Sequence, residues 1–127
     1  MQTNMVGWFE IPVTDMERAI KFYETVFGVK LDRNQMGPLD MAWFPWVDGA
    51  YGSGGSLVYH EEYYKPSTDG VVIYLSAPSG NLSNELSRVE AEGGNVLQDK
   101  TQISEEHGFM AIILDSEGNK VALHSKE

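Results

Sequence analysis

Between Phe9 and Leu31 the chain passes from a strand pattern through a capped helix into a second strand without a spare residue. That order restricts the folds open to it. Alternation puts Phe9, Ile11 and Val13 on one face of the first strand and Trp8 and Glu10 on the other. Thr14 followed by Glu17 reads as a capping box, in which the two side chains satisfy orphan amides at the helix start. Met16, Ala19, Ile20, Tyr23, Val26 and Phe27 recur at helical spacing as one apolar stripe, and Gly28 suits the left-handed conformation that ends a helix. Val29 to Asn34 is the next extended run.

The plan then repeats. A polar turn is expected at Gln35 to Asp40, a strand at Met41 to Val47 with Pro45 marking an edge or a bulge, and a mobile loop at Asp48 to Gly55, where four of eight residues are glycine. Ser56 to His60 reads as a short strand, and Glu61 to Asp69, with Tyr63, Tyr64, Lys65 and Pro66, as a lid or linker. Val71 to Ser76 is the strand that opens a second unit. Leu82, Leu86 and Val89 space a second helix ending at Gly93 and Gly94, and Asn95 to Ile103 is extended. Phe109 to Leu114 and Lys120 to Ser125 form a hairpin about the turn-rich Asp115 to Asn119. The offset from Gly28 to Gly94 is about 65 residues, so the chain reads as two copies of one strand-helix-three-strand unit. Periodicity alone also admits a ferredoxin-like or a dimeric α+β barrel fold.

Two sequence patterns narrow this. Asp15-(x)3-Ala19-(x)2-Phe22-Tyr23-(x)4-Gly28 in the first unit resembles the opening unit of the vicinal oxygen chelate superfamily, the glyoxalase I, bleomycin-resistance and extradiol dioxygenase group. Gly108-Phe-Met-Ala-(x)3-Asp115-(x)2-Gly118-Asn119-(x)3-Leu123-His124 is similar to a branch described as related to lactoylglutathione lyase. The resemblance covers nearly the whole chain. It implies an α+β fold of two βαβββ modules, at about residues 5–60 and 70–125 of one domain (1–127), forming an eight-stranded half-open barrel around a cavity. It also implies a homodimer.

Composition excludes several roles. With 19 acidic against 9 basic residues the net charge is −10, so phosphate backbones and anionic membrane surfaces are repelled and neither nucleic acid nor membrane is an expected partner. The plain role of the acidity is solubility. No cysteine is present, which removes disulfides, thiolate metal sites and a cysteine nucleophile. With no basic-then-apolar leader before Trp8 and no apolar run near 18 residues, a cytoplasmic protein is the expectation.

In the metal-dependent members that the chain resembles, the first and last strands of each module each supply a His, Glu or Gln to a divalent ion, which polarises vicinal substrate oxygens. The resemblance carries those positions to Trp8, to the strand at Ser56, to the strand near Val72 or Tyr74, and to Ala122. None is a normal ligand. The expectation is therefore no metal and no other cofactor, with a displaced set of Glu10, His60, Tyr74 and His124, all of matching strand parity, as the rival arrangement. True lactoylglutathione lyase activity is not expected.

Other chemistry rests on few groups. His107 follows Glu105 and Glu106, and a carboxylate beside an imidazole can orient it as a general base. Glu10 and His124 are the other candidate acid or base residues, while a plain structural role, a solvated or paired carboxylate and a hydrogen-bonded histidine, accounts better for each alone. Ser53 and Ser56 lack the strand-turn-helix context of a nucleophile elbow or a phosphate loop. Aromatic residues are numerous. Trp8 and Tyr74, with Ser56 and Ala122, define an aromatic-lined cavity suited to a small organic ligand. Two functions follow: binding of a small molecule without a metal, or a lyase, isomerase or dioxygenase using Glu10, His107 and His124 or a displaced metal. A third is a structural or interaction module in which the sheet face serves association and the aromatics fill the cavity.

Overall fold

The computed structural model describes residues 3–127. The elements run β1 (Trp8–Pro12), α1 (Met16–Phe27), β2 (Asp32–Met36), β3 (Leu39–Trp43), β4 (Gly54–Tyr59), β5 (Tyr74–Ser76), α2 (Leu82–Leu86), a 3-10 turn (Glu90–Glu92), β6 (Asn95–Ser104), β7 (Gly108–Leu114) and β8 (Lys120–Ser125). They make two four-stranded sheets of identical plan, β1-β4-β3-β2 and β5-β8-β7-β6, with the β1–β4 and β5–β8 pairs parallel and the others antiparallel. The sheets are not joined by strand pairing among the described residues, and the α+β architecture is the expected pair of βαβββ modules. No helix among the described residues is long and apolar enough to cross a membrane.

One face of each sheet turns to a shared core. Ile11, Ala42 and Leu57 from the first sheet and Leu75, Ala111, Ile113, Val121 and Leu123 from the second join α1 and Leu82 and Val89 in a single buried cluster. The buried stripe of α1 includes Phe22 beside the expected residues, while Ile20 stays partly buried at its margin. Gly28 ends α1 as expected, with φ 66° and ψ 36° and its N–H on the Glu24 carbonyl at 2.9 Å.

Several boundaries differ from the sequence reading, each for a local reason. β2 starts later and runs to Met36, because Gly37 at φ 60° and Pro38 turn the chain within two residues and Met36 pairs with Leu39. β3 stops at Trp43, so Pro45, which cannot donate to a ladder, lies beyond the strand rather than on its edge. Gly54 and Gly55 belong to β4, not to a loop. They face Trp8 and Phe9 across the β1–β4 pairing, and a Cβ on Gly55 would fall 2.2 Å from the Phe9 ring. β5 is only three residues long, and the second helix breaks after Leu86 into the 3-10 turn that Gly93 ends at φ 95°.

The start of α1 is the main correction. Asp15, not Thr14, is the N-cap, its side chain accepting the Arg18 N–H at 3.1 Å. The amides of Thr14 and Asp15 both donate to Oε1 of Glu117, each at 2.8 Å, from the β7–β8 turn a hundred residues away. Glu17, expected to close a capping box, is exposed and reaches only Arg33 at 4.0 Å. A distant carboxylate performs the role that the local one was expected to fill.

That turn joins the two modules. Tyr23 donates its hydroxyl to Asp115 Oδ2 at 2.6 Å within the core; burial, reinforced by the carboxylate, pushes the phenol well above its ordinary pKa. Asp115 Oδ1 accepts the amides of Glu117 and Asn119, both at 2.9 Å. Asn119 Nδ2 donates to the Pro12 carbonyl at 2.7 Å, and its Oδ1 accepts the Ser67 amide at 3.1 Å. Arg18 adds a fork to Glu117 at 2.7 and 3.0 Å.

Burial alone would raise the Glu117 pKa, but Arg18, the Asp15 and Thr14 amides and the Ser116 hydroxyl outweigh it and hold the carboxyl at about 2, against an ordinary 4.5. A folded-state pKa below the unfolded one stabilises the protein above the unfolded value, and the gain is lost as pH falls from 4.5 toward about 2. Melting temperatures measured across that window are expected to fall steeply for the wild type and less steeply for Glu117→Gln, which starts from lower stability at neutral pH. Parallel curves for the two proteins would show that this carboxylate does not carry the acid sensitivity.

Candidate functional site

The core uses the odd positions of β1, so its even positions face the other way. Strand register then builds a row across the outer face of the first sheet: Glu10 opposite Ser56, Ser56 opposite Trp43, and Trp43 opposite Asp32. Trp8 stands opposite Gly54 one pair away. Trp8 and Glu10 thus share one face as their parity implied, and the β1–β4 register adds Ser56. Trp43 completes the group, and only the β3–β4 register, which sets it opposite Ser56, shows that it does.

The side chains in this row are close-packed. Trp8 and Trp43 meet edge to face with centroids 5.9 Å apart and planes at 78°. A Cβ on Gly54 would sit 3.0 Å from the Trp46 ring and 3.2 Å from that of Trp8, so the missing side chain is what lets the indoles approach the backbone. Beneath them Ser56 is 0% exposed. Its Oγ and the Trp43 Nε1 are buried polar atoms with no hydrogen-bond partner among the described residues. Such atoms are uncommon in folded proteins, where a buried polar group is normally paired with protein or with an ordered water.

Glu10 is held at both oxygens by neutral donors. Tyr64 donates its hydroxyl to Oε1 at 2.8 Å, and Trp8 donates its indole N–H to Oε2 at 3.3 Å. The bond to Glu10 raises the Tyr64 pKa. Tyr64 belongs to the linker that crosses from the first module to the second. There His60 pairs with Tyr64 as an isolated bridge, stacks on Tyr63 at 5.1 Å and accepts the amides of Glu62 and Tyr63 on Nδ1. Beside Glu10 a cleft of about 220 Å³ opens between β1 and the linker, lined also by Pro12, Lys65, Val71, Ile73 and Lys120.

The second sheet carries the remaining candidates. Tyr74 lies opposite Ala122, and Ser76 opposite His124, all on its outer face. His124 donates from Nε2 to the His107 carbonyl at 2.6 Å, since a carbonyl can only accept. The His107 amide donates to Ser104 Oγ at 2.9 Å, closing the β6–β7 turn.

The structure therefore sorts the sequence candidates into two groups. Trp8, Glu10 and Ser56 share the first sheet's outer face, and Tyr74, Ala122, His107 and His124 belong to the second sheet or its turn. Among the described residues no three His, Cys, Asp or Glu side chains converge as a metal site would require. Glu10 is bonded by Tyr64, His60 accepts the Glu62 and Tyr63 amides, and His124 is bonded to the His107 carbonyl.

Comparison with known proteins gives consistent matches. The family described as bleomycin resistance protein-like N-terminal matches residues 6–44. A lactoylglutathione lyase of Haemophilus influenzae is 25% identical over 112 residues, covering 86% of this chain and 83% of that protein. Among solved structures, a glyoxylase/bleomycin resistance protein/dioxygenase domain from Frankia superposes with a TM-score of 0.72 at 12% identity, covering 99% of this chain and 100% of its own. The antibiotic-binding protein TnmS3 of Streptomyces superposes at 0.62 with 20% identity, covering 100% and 99%. A maize glyoxalase I mutant superposes at 0.65 with 21% identity over 94% of this chain, which spans only 45% of the maize one.

Because the Ser56 hydroxyl makes no hydrogen bond, removing it should cost nothing. Ser56→Ala is expected to leave unfolding free energy unchanged or raise it by up to about 1 kcal/mol in the ligand-free protein. Chemical denaturation checks this. A loss above about 1 kcal/mol would show that the hydroxyl has a partner in the resting protein.

Proposed function

The chain belongs to the vicinal oxygen chelate superfamily, the glyoxalase and bleomycin-resistance group, and from that premise we propose that it binds a small organic molecule on the outer face of its first sheet without a metal. The observation that carries this reading is the pair of buried, unpartnered polar atoms, Ser56 Oγ and Trp43 Nε1, beneath indole rings and beside a carboxylate. A flat ligand can stack on the half-exposed Trp8 and, once the packed indoles part, bring polar atoms to these two. Each aromatic contact is worth about 0.5–1.5 kcal/mol beyond area burial, and satisfying a buried polar atom recovers about 1–3 kcal/mol. The antibiotic-binding function of TnmS3, a full-length match in fold, is consistent with binding as a role for such a chain.

The superfamily also implies a divalent ion, and the residues at its positions fit one poorly. Trp8 offers an N–H that is already donated to Glu10, and Ala122 offers no donor atom. No chemistry is therefore assigned to a metal. The enzymatic alternative has less support, because Glu10 lies on one sheet and His107 and His124 belong to the other. A homodimer is part of this proposal. Trp8 is 44% and Tyr74 54% exposed, on the outer faces of different sheets, and a second copy covering both would enclose the ligand.

Isothermal titration of chelator-treated protein with planar heteroaromatic compounds, and light scattering of the same sample, test the proposal together. The expected results are about one ligand per chain, unaffected by chelator, an affinity at least about tenfold lower for Trp43→Ala, and a mass twice the 14.2 kDa of the chain. Binding that appears only when a divalent ion is restored would contradict the metal-free reading. Undiminished binding by Trp43→Ala would move the site elsewhere, and a monomer would remove the dimer.

A further inference from the structure

We infer that the cleft of about 220 Å³ between β1 and the linker is a second binding site, separate from the aromatic face, and that it takes a short-chain organic carboxylate. Its walls come from three parts of the chain that Asn119 ties together. That side chain donates to the Pro12 carbonyl at the end of β1 and accepts the Ser67 amide of the linker, and β8 begins at the next residue, Lys120. Asn119 is itself buried. The opening is thus held by hydrogen bonds already made in the free protein, so a ligand does not have to order it.

The charge of this cleft runs against that of the chain. Lys65 and Lys120 line it and Glu10 is the acidic residue of its wall, so positive charge is in excess there, in a protein of net charge −10. Most other cations are committed: Arg18 to Glu117, Arg33 to Asp40, Arg88 to the Val26 carbonyl, Lys100 to Asn81 and Lys126 to the Glu106 carbonyl. Lys21 and Lys30 are exposed. Lys120 is half-buried, yet among the described residues it forms no ion pair and donates no hydrogen bond. An ammonium partly withdrawn from water without a counter-ion gains when an anion arrives. Lys65 spends one donor on the Glu61 carbonyl and has others left, since an ammonium carries three.

The Glu10 carboxylate is already taken on both oxygens, by the Tyr64 hydroxyl and the Trp8 indole. Its backbone offers a donor instead. The Val13 N–H donates to the Val58 carbonyl, so the odd residues of β1 turn their backbone groups to β4 and Glu10 turns its amide to the open edge. That is the edge on which the Pro12 carbonyl meets Asn119. The apolar part of the lining includes Pro12, Ile73 and Val71, and Val71 is 91% exposed, a rim that an aliphatic tail covers. The cleft is smaller than the roughly 300–1,000 Å³ of pockets that hold drug-sized ligands, which keeps the tail short. Repulsion of an anion by distant carboxylates is screened over about 8–10 Å at physiological salt, so the local ammonium groups decide.

Three probes with one tail test this: hexanoate, an anion, hexanamide, which is neutral, and hexylamine, a cation. Each is titrated into the full chain at fixed ionic strength while the backbone amide resonances of Ser67, Val71 and Val121 are followed by NMR. Hexanoate is expected to move these signals and to bind at least about fivefold tighter than hexanamide, with hexylamine weakest. Lys120→Gln should abolish the preference for the acid and leave hexanamide affinity unchanged. Lys30→Gln, which removes the same charge from the exposed segment between α1 and β2, should keep the preference. Trp43→Ala should bind hexanoate as the wild type does, so this site and the aromatic face stand or fall separately. Equal binding of acid and amide, a preference that survives Lys120→Gln, loss of hexanoate binding in Trp43→Ala, or no binding of hexanoate at all overturns the inference.

Discussion

The hydrogen bonds of one five-residue turn, Asp115 to Asn119, hold this molecule in its arrangement. Asp115 takes the hydroxyl of Tyr23 inside the core, Asn119 reaches the carbonyl of Pro12 at the end of β1, and Glu117 caps the start of α1. Every one of those partners lies in the first module. Two sheets that share no strand pairing are therefore registered by side chains from a hairpin turn. The chemistry suits the task, since carboxylates that accept several amide and hydroxyl donors are among the stronger polar contacts available to a folded chain.

The same anchoring bears on the candidate site. Fixing Pro12 fixes the end of β1, and β1 carries Trp8 and Glu10 on its outer face. The parallel pairing with β4 then puts Gly54 under the indoles and Ser56 beside Glu10. Gly54 and Gly55 are needed there for opposite reasons: the first leaves room for Trp8 and Trp46 outside, the second for Phe9 inside. Packing on one face of β1 thus constrains the strand that presents polar atoms on the other. The motif residues Asp15, Tyr23, Asp115 and Asn119 are all engaged in this framework, so in this chain they hold the fold together.

Much of the framework was legible in the sequence. The stripe of α1, the left-handed Gly28 and the β7–β8 hairpin follow from local periodicity and turn chemistry, which depend on near neighbours alone. Strand parity also set Trp8 and Glu10 on one face of β1. What escaped is what depends on distant partners. Glu117 as the cap of α1 requires knowing that a turn a hundred residues away folds back onto Thr14. Gly54 and Gly55 look like a loop until Trp8 and Phe9 are laid against them. Trp43 enters the site only through the β3–β4 register, and Tyr64, read as part of a linker, reaches Glu10 through a contact 54 residues apart.

The most direct test is to follow the indole N–H resonances of the three tryptophans by NMR while the protein is titrated with methoxyindole. The signals of Trp8 and Trp43 are expected to move together and saturate at one affinity, with the larger change at Trp43, whose N–H gains its missing acceptor. If both stay fixed while the probe demonstrably binds, the outer face of the first sheet is not the binding surface.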